Sequence, residues 1–338
     1  MSGRTATTSF RGRWGLAGVA AAGALALALV ESPFYLDMLF WILLWAAMAG
    51  AWNVVGGYAG QFSLGHGAFF GIGAYTSTLL YLTFGLTPWA GALAGGCVAA
   101  VCGVVVGVVC LRLRGPFFAL ATFALAELLR VVALYWRDLT GGAEGLILPF
   151  EPSWRTLMFR SKVPYGVVAL GFLLLVSGLA LLLEHSRVGL LLEAIREDED
   201  AARSVGVRAL RWKLGAAALS AFLAALGGTI YAHYLHVIEP DNVFGWEHSV
   251  QFALISIIGG MASWQGPILG SLFLTPLAIV LRGWFGGGYP GLHLAVYGPI
   301  LILSVLFVPE GIVPWLARRL ALARTRRRER LSFVEKSS

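Results

Sequence analysis

The sequence predicts an all-α fold, a polytopic bundle of about ten transmembrane helices, and three observations carry that expectation. The chain is far more apolar than a water-soluble domain sustains: its mean hydropathy is +0.77, with 58% of 338 residues hydrophobic and 13% charged. Apolar runs recur near 14–31, 36–55, 62–83, 89–111, 116–136, 164–184, 212–236, 249–262, 266–285 and 292–309, separated by charges, prolines and glycine clusters. Crossing about 30 Å of hydrocarbon at about 1.5 Å per residue takes roughly 20 residues, and several runs reach that length. The basic residues, finally, sit almost entirely between the runs.

Taken in order, the chain divides into a cytoplasmic N-terminal segment over 1–13, a membrane domain over 14–310 and a basic cytoplasmic tail over 311–338. The first run, Trp14 to Val30, follows Arg4, Arg11 and Arg13 and resembles a secretory signal peptide, but its length favours a retained helix. With the N-terminus inside, ten crossings place 19 of the 25 basic residues on the cytoplasmic side, in the N-terminal segment, at Arg112 and Arg114, between Arg187 and Lys213, and in the tail. Arg137, Arg155, Arg160 and Lys162 fall in an outer, periplasmic segment over 137–163. This bias places both termini in the cytoplasm. It also accounts for the net charge of +7 without a nucleic-acid partner, since no stacking aromatics interleave the basic residues. The tail from Arg318 to Arg330 suits lipid headgroups.

Two runs are irregular. The run 62–83 is rich in glycine and polar residues, and 249–262 is too short to span unaided. Non-helical backbone is tolerated at membrane depth only where protein or a water-filled cavity covers it. The stretches Gly56–Gly67 and Gly259–Pro267 therefore point to a pathway, with Gln61, Ser63, Gly65, His66, Gly67, Gly259 and Gly260 as its candidate residues. Close helix packing with internally satisfied polar groups is the other reading, and a neutral, hydrogen-bonded His66 fits it better than a proton carrier does. Five spans in each half would give the halves inverted orientation, a common transporter plan, although they share no strong sequence identity.

Glu127 and Arg130, three apart in one run, can share a helix face as an intramembrane pair. Alternatively Arg130 snorkels toward Tyr135 and Trp136 and leaves Glu127 needing a partner inside the bundle. Cys97, Cys102 and Cys110 lie in one run without CxxC spacing or a neighbouring histidine, so they read as small packing residues, and no metal site is expected. No arrangement of residues suggests a catalytic site.

The charged stretch from Glu193 to Gly206, within an inner segment over 186–211, reads as one short cytoplasmic helix. Ala and Glu favour helix, Gly206 suits the C-cap, and Ala194, Ala201, Ala202 and Val205 recur at spacings that make a small apolar face. A partner protein could grip that face; a solvated loop helix is the alternative.

The stretch is similar to the Glu-Ala-Ala…Gly coupling segment of ABC importer permeases, with Ile195 in place of a second alanine and a longer interval to Gly206. Other parts resemble the branched-chain amino acid permease family, which has urea and amide permeases as relatives. The glycine-rich run from Gly57 to Phe69 continues through Gly71, Gly73, Ala74 and Tyr75. Phe117-Phe118-Ala119-Leu120-Ala121-Thr122 with Glu127, Leu139-Thr140-Gly141-Gly142-x-x-Gly145, Ser220 through Gly227-Gly228 to Tyr231-Ala232, and Ser256 through Gly266-Pro267-x-x-Gly270 also match. The resemblance covers roughly residues 36–310.

That resemblance implies half of a pore, a heterodimer with a related permease, two ATPase subunits and a periplasmic solute-binding protein. It assigns ATPase coupling to Glu193, Ala194, Arg196, Glu197, Asp198, Ala201, Ala202 and Gly206, and makes branched-chain or other small hydrophobic amino acids the expected solutes. No Gly-x-x-x-x-Gly-Lys-Ser/Thr occurs, so ATP and Mg²⁺ are expected on the partners, with no cofactor in this chain. The outer segment, with Glu144, Glu151, Trp154, Arg155, Arg160 and Lys162, is either a docking surface for the binding protein or an interfacial stretch. Two alternatives stay open: a permease for urea or short amides, and an ion-coupled secondary transporter. The latter needs buried carboxylates, of which Glu127 is the clearest. A membrane enzyme is a weaker third, for lack of a His-rich or Ser/His/Asp cluster.

Overall fold

A computed structural model of the chain describes residues 2–113, 115–285, 298–299, 306, 311–315 and 318–319. The helices run in the order α1 (Ser2–Leu29), α2 (Pro33–Asn53), α3 (His66–Phe84), α4 (Pro88–Cys110), α5 (Pro116–Tyr135), α6 (Arg137–Thr140) and α7 (Val163–Glu184). They continue as α8 (Arg187–Glu197), α9 (Glu199–Ser204), α10 (Ala209–Leu235), α11 (Pro240–Phe244), α12 (Trp246–Gly259) and α13 (Gly266–Phe285). A π-helical turn over Val54–Tyr58 extends α2. Proline stands in the first turn of α2, α4, α5 and α7, where its fixed φ suits the helix and its missing N–H costs nothing.

Among the described residues, six helices are long and apolar enough to cross a membrane: α2 with its π turn, α4, α5, α7, α10 and α13. The chain is a multi-pass helical membrane bundle. The run 62–83 becomes α3, of 19 residues and less apolar. The run 249–262 becomes α12, whose 14 residues are too few to span. The first run continues a helix that already begins at Ser2. Most of the tenth run, 292–309, and most of the tail lie outside the described residues.

The centre of the bundle is α2, buried from Ile42 through Asn53 because it is apolar on every side. Around it pack α7, α10, α12 and α13, while α3 and α4 close on α10, and α1 lies along α7. Gly91, Gly95, Gly96, Gly103 and Gly107 turn one face of α4 toward α3 and α10, and Val101, Val105 and Val109 point outward. Cys110 is buried in that packing and Cys102 partly so, but Cys97 is exposed. Its expected packing role is thereby corrected: it falls on the outward face of α4.

The segment 137–163 is a cap of short turns. Its strand β1 (Leu146–Ile147) pairs antiparallel with β2 (Val237–Ile238), Leu146 opposite Ile238. Lys162 Nζ reaches Asp37 Oδ1 at 2.7 Å, and the Phe159 N–H donates to Tyr165 Oη at 3.0 Å. Leu157 and Met158 are buried beneath it, leaving Glu144, Glu151, Trp154, Arg155 and Arg160 exposed.

Candidate functional site

The first glycine stretch breaks the helix between α2 and α3. After the π turn, residues 59–65 run irregularly, and Gly60 takes φ +68°. Their polar groups are met inside the protein. Trp52 Nε1 donates to the Ser63 carbonyl at 2.8 Å, and the Leu64 N–H to Thr122 Oγ1 at 3.1 Å. Ser220 Oγ donates to the Ala51 carbonyl at 2.6 Å, which uses its one proton. His66 Nε2, 2.7 Å from that oxygen, therefore donates to it. The other ring nitrogen, Nδ1, accepts from Ser63 Oγ at 3.1 Å. His66 is thus a neutral imidazole with both nitrogens occupied, assigned from the network around it. Gly67 donates its N–H to Ser249 Oγ at 2.7 Å. Gln61 bonds only locally, to the Ala59 and Gly60 carbonyls. Ser63, Gly65, His66, Phe69, Phe118 and Thr122 border a narrow apolar cavity of about 30 Å³.

The second stretch turns between α12 and α13 and meets the first. Gly259 and Gly266 approach so closely that a Cβ on Gly259 would lie 1.8 Å from the Gly266 carbonyl oxygen. Asn53 bridges the two breaks: its Nδ2 donates to the Ser263 carbonyl and its Oδ1 accepts the Ala262 N–H, each at 3.0 Å. Gly57 packs against that bridge, since an added Cβ would lie 2.6 Å from the Ala262 nitrogen. A single oxygen of Glu184, the last residue of α7, accepts both Tyr58 Oη at 2.7 Å and the Trp264 N–H at 2.6 Å. Val54, Val55, Tyr58, Leu181, Leu192 and Trp264 surround the junction as an apolar cluster.

The stretch from Glu193 to Gly206 was expected as one helix; it is two, and the break is Asp198. That residue is extended (φ −154°, ψ 105°), and its carboxylate caps α9 by accepting the N–H groups of Asp200 and Ala201 at 3.0 and 2.9 Å. A short acidic side chain satisfies the orphan donors of a new helix better than it serves the interior of an old one. Of the expected apolar face, Ala194, Ala201 and Val205 are exposed, whereas Ala202 departs from it and is buried with Ile195 and Ala209. Gly206 does close α9, at φ +87°. Glu199 holds the pair of helices to α10 through the buried Lys213 at 2.6 Å. Glu193, Glu197 and Asp198 face outward. Arg196 points inward and donates from Nη1 to the Gly57 carbonyl at 3.1 Å, linking α8 to the first break. Beside α8 opens a groove of about 560 Å³ lined by Leu191, Val205, Val207, Arg208, Arg211 and Trp212.

Glu127 and Arg130 pair along α5, Arg130 Nε lying 2.9 and 3.0 Å from the two carboxylate oxygens. Asp241 of α11 joins them through Arg130 Nη1, so the arginine is shared between two helices. Sequence reasoning missed Asn53, Tyr58, Glu184, Asp241 and Trp264. Glu184, for instance, meets partners 126 and 80 positions away, which no local spacing reveals. Among the described residues no three His, Cys, Asp or Glu side chains are placed to hold a metal.

Comparison with known proteins matches residues 34–305 to the family model described as branched-chain amino acid transport system, permease component. The high-affinity branched-chain amino acid transport system permease protein LivM of Salmonella typhimurium is 31% identical over 293 residues, which is 80% of this chain and 68% of that protein. The protein of the same name from Escherichia coli K12 is 30% identical with the same coverage. The autoinducer 2 import system permease protein LsrC of Escherichia coli O9:H4 is 32% identical over 169 residues, 48% of this chain and 47% of that protein.

Proposed function

The chain belongs to the family of permease components of branched-chain amino acid transport systems, and from that premise we propose that it is the membrane-spanning subunit of an ATP-driven importer. It moves branched-chain or other small hydrophobic amino acids handed over by a periplasmic binding protein. A related permease completes the pore, and two ATPase subunits supply ATP and Mg²⁺. The chain lies in the bacterial inner membrane as a multi-pass bundle, with both termini, the 186–211 segment and the basic tail in the cytoplasm.

The observation that carries this reading is the contact between α8 and the glycine junction. An exposed two-helix element, able to meet a partner through Glu193, Ala194, Glu197, Asp198 and Ala201, reaches through Arg196 to the Gly57 carbonyl. Closure of the ATPases displaces α8 and α9, and the junction follows because its two breaks lack the hydrogen-bond ladder that would stiffen a continuous helix. Gln61, Ser63, Gly65, His66, Gly67, Gly259 and Gly260 lie on the two breaks, and their rearrangement opens the pathway. The exposed charges and Trp154 of the outer cap receive the binding protein.

Leucine uptake into proteoliposomes holding the whole importer tests this. We expect uptake only with the binding protein and ATP; uptake by this chain alone from an ion gradient overturns the reading. The match to LsrC favours a second solute, autoinducer 2 or a molecule like it, which competes with leucine in the same assay if it is carried.

A further inference from the structure

We propose that Glu184 is a positioning residue that locks the two glycine breaks to each other, so that both move as one when the 186–211 segment is displaced; this rests on the importer reading above. Its Oε1 accepts one hydrogen bond from each break, from Tyr58 Oη and from the Trp264 N–H. A carboxyl oxygen has two lone pairs, so one atom can take both donors at once. Among the described residues, the hydrogen bonds to this carboxyl group come from Tyr58 and Trp264. Tyr58 and Trp264 are themselves buried, at 5% and 6% exposure, which keeps water from replacing either bond.

The position along the chain gives the clamp its use. Two residues after Glu184, Ser186 caps α8 by accepting the Gly189 N–H at 3.1 Å. A push on α8 therefore reaches Glu184 through a two-residue lever. Arg196 pulls the Gly57 carbonyl on the first break alone. Among the contacts of the 186–211 segment and the end of α7, the Glu184 oxygen joins both breaks at a single atom, which makes their motion concerted.

The test compares wild type, Glu184→Ala, Glu184→Gln and Tyr58→Phe in the assembled importer, measuring phosphate release and leucine uptake on the same proteoliposomes. We expect Glu184→Ala to raise the ATP consumed per leucine about tenfold, the scale of losing a buried hydrogen bond, with hydrolysis close to wild type. Glu184→Gln keeps an acceptor oxygen and returns the ratio most of the way; Tyr58→Phe, which removes one of the two donors, gives an intermediate ratio. An unchanged ratio in Glu184→Ala overturns the proposal, as does a parallel fall of uptake and hydrolysis. Should Glu184→Ala fail to assemble, Tyr58→Phe decides: a raised ratio supports the clamp and a wild-type ratio overturns it. ATP-independent uptake by wild type is a separate result, which overturns the importer reading and the clamp with it.

Discussion

Gly57 has no room for a side chain. A Cβ there would fall 1.9 Å from Asn53 Oδ1 and 2.6 Å from the Ala262 nitrogen, the two atoms that join the breaks. We predict that Gly57→Ala forces them apart and costs about 1–3 kcal/mol, the usual range for overpacking, measured by thermal unfolding in detergent. Ser220→Ala acts differently, because it removes the acceptor of the His66 Nε2–H and the donor to the Ala51 carbonyl. Its expected cost is about 1 kcal/mol, since interhelical hydrogen bonds in membranes are individually modest. A cost near zero would mean that His66 finds another acceptor. Sequence alone marked Gly57 and His66, through glycine content and an isolated polar side chain, but it held two readings of His66 open. Ser220, 154 residues away, supplies the partner of the His66 Nε2, and no pattern near His66 names it.

At the scale of elements, most boundaries were legible. Runs at 89–111, 164–184 and 266–285 correspond within a residue to α4, α7 and α13, because prolines and charges mark where an apolar helix has to stop. The division at Asp198 was missed, although the signal was present: Asp198-Glu199-Asp200 is an N-cap followed by an acidic first turn. Asp198→Ala is expected to cost about 1 kcal/mol of α9 stability, seen as faster amide exchange over 199–204 and weaker retention of the ATPase; Asp198→Ser restores both. Exchange unchanged from wild type would show that packing of Ala202 alone holds α9. The shared arginine makes a further distinction. Arg130→Met leaves two carboxylates facing each other, whereas Glu127→Gln leaves Arg130 paired with Asp241. The first variant should lower thermal stability more than the second, by about 1 kcal/mol after allowing for partial exposure. Equal effects would mean that Asp241 adds nothing to the hold of α11 on α5.

Across the whole molecule, hydropathy was enough to establish a helical membrane bundle, and the family motifs were enough to place it among permeases. What they could not supply is the convergence of two distant glycine stretches on one junction and the bonds that tie that junction to α7 and α8. Those bonds are long-range and polar, and a one-dimensional pattern of apolar runs carries no information about which breaks meet. Under the proposed mechanism, displacement of the 186–211 segment moves this junction. Phe62 and Met261, both exposed and one on each break, are suited to report it. The measurement is the distance between spin labels at Phe62→Cys and Met261→Cys, with Cys97, Cys102 and Cys110 replaced, in the assembled importer with and without ATP. We predict a distance that changes on ATP binding and a change that is lost when Asp198→Ala uncouples α9. An unchanged distance in an importer that still takes up leucine would contradict it.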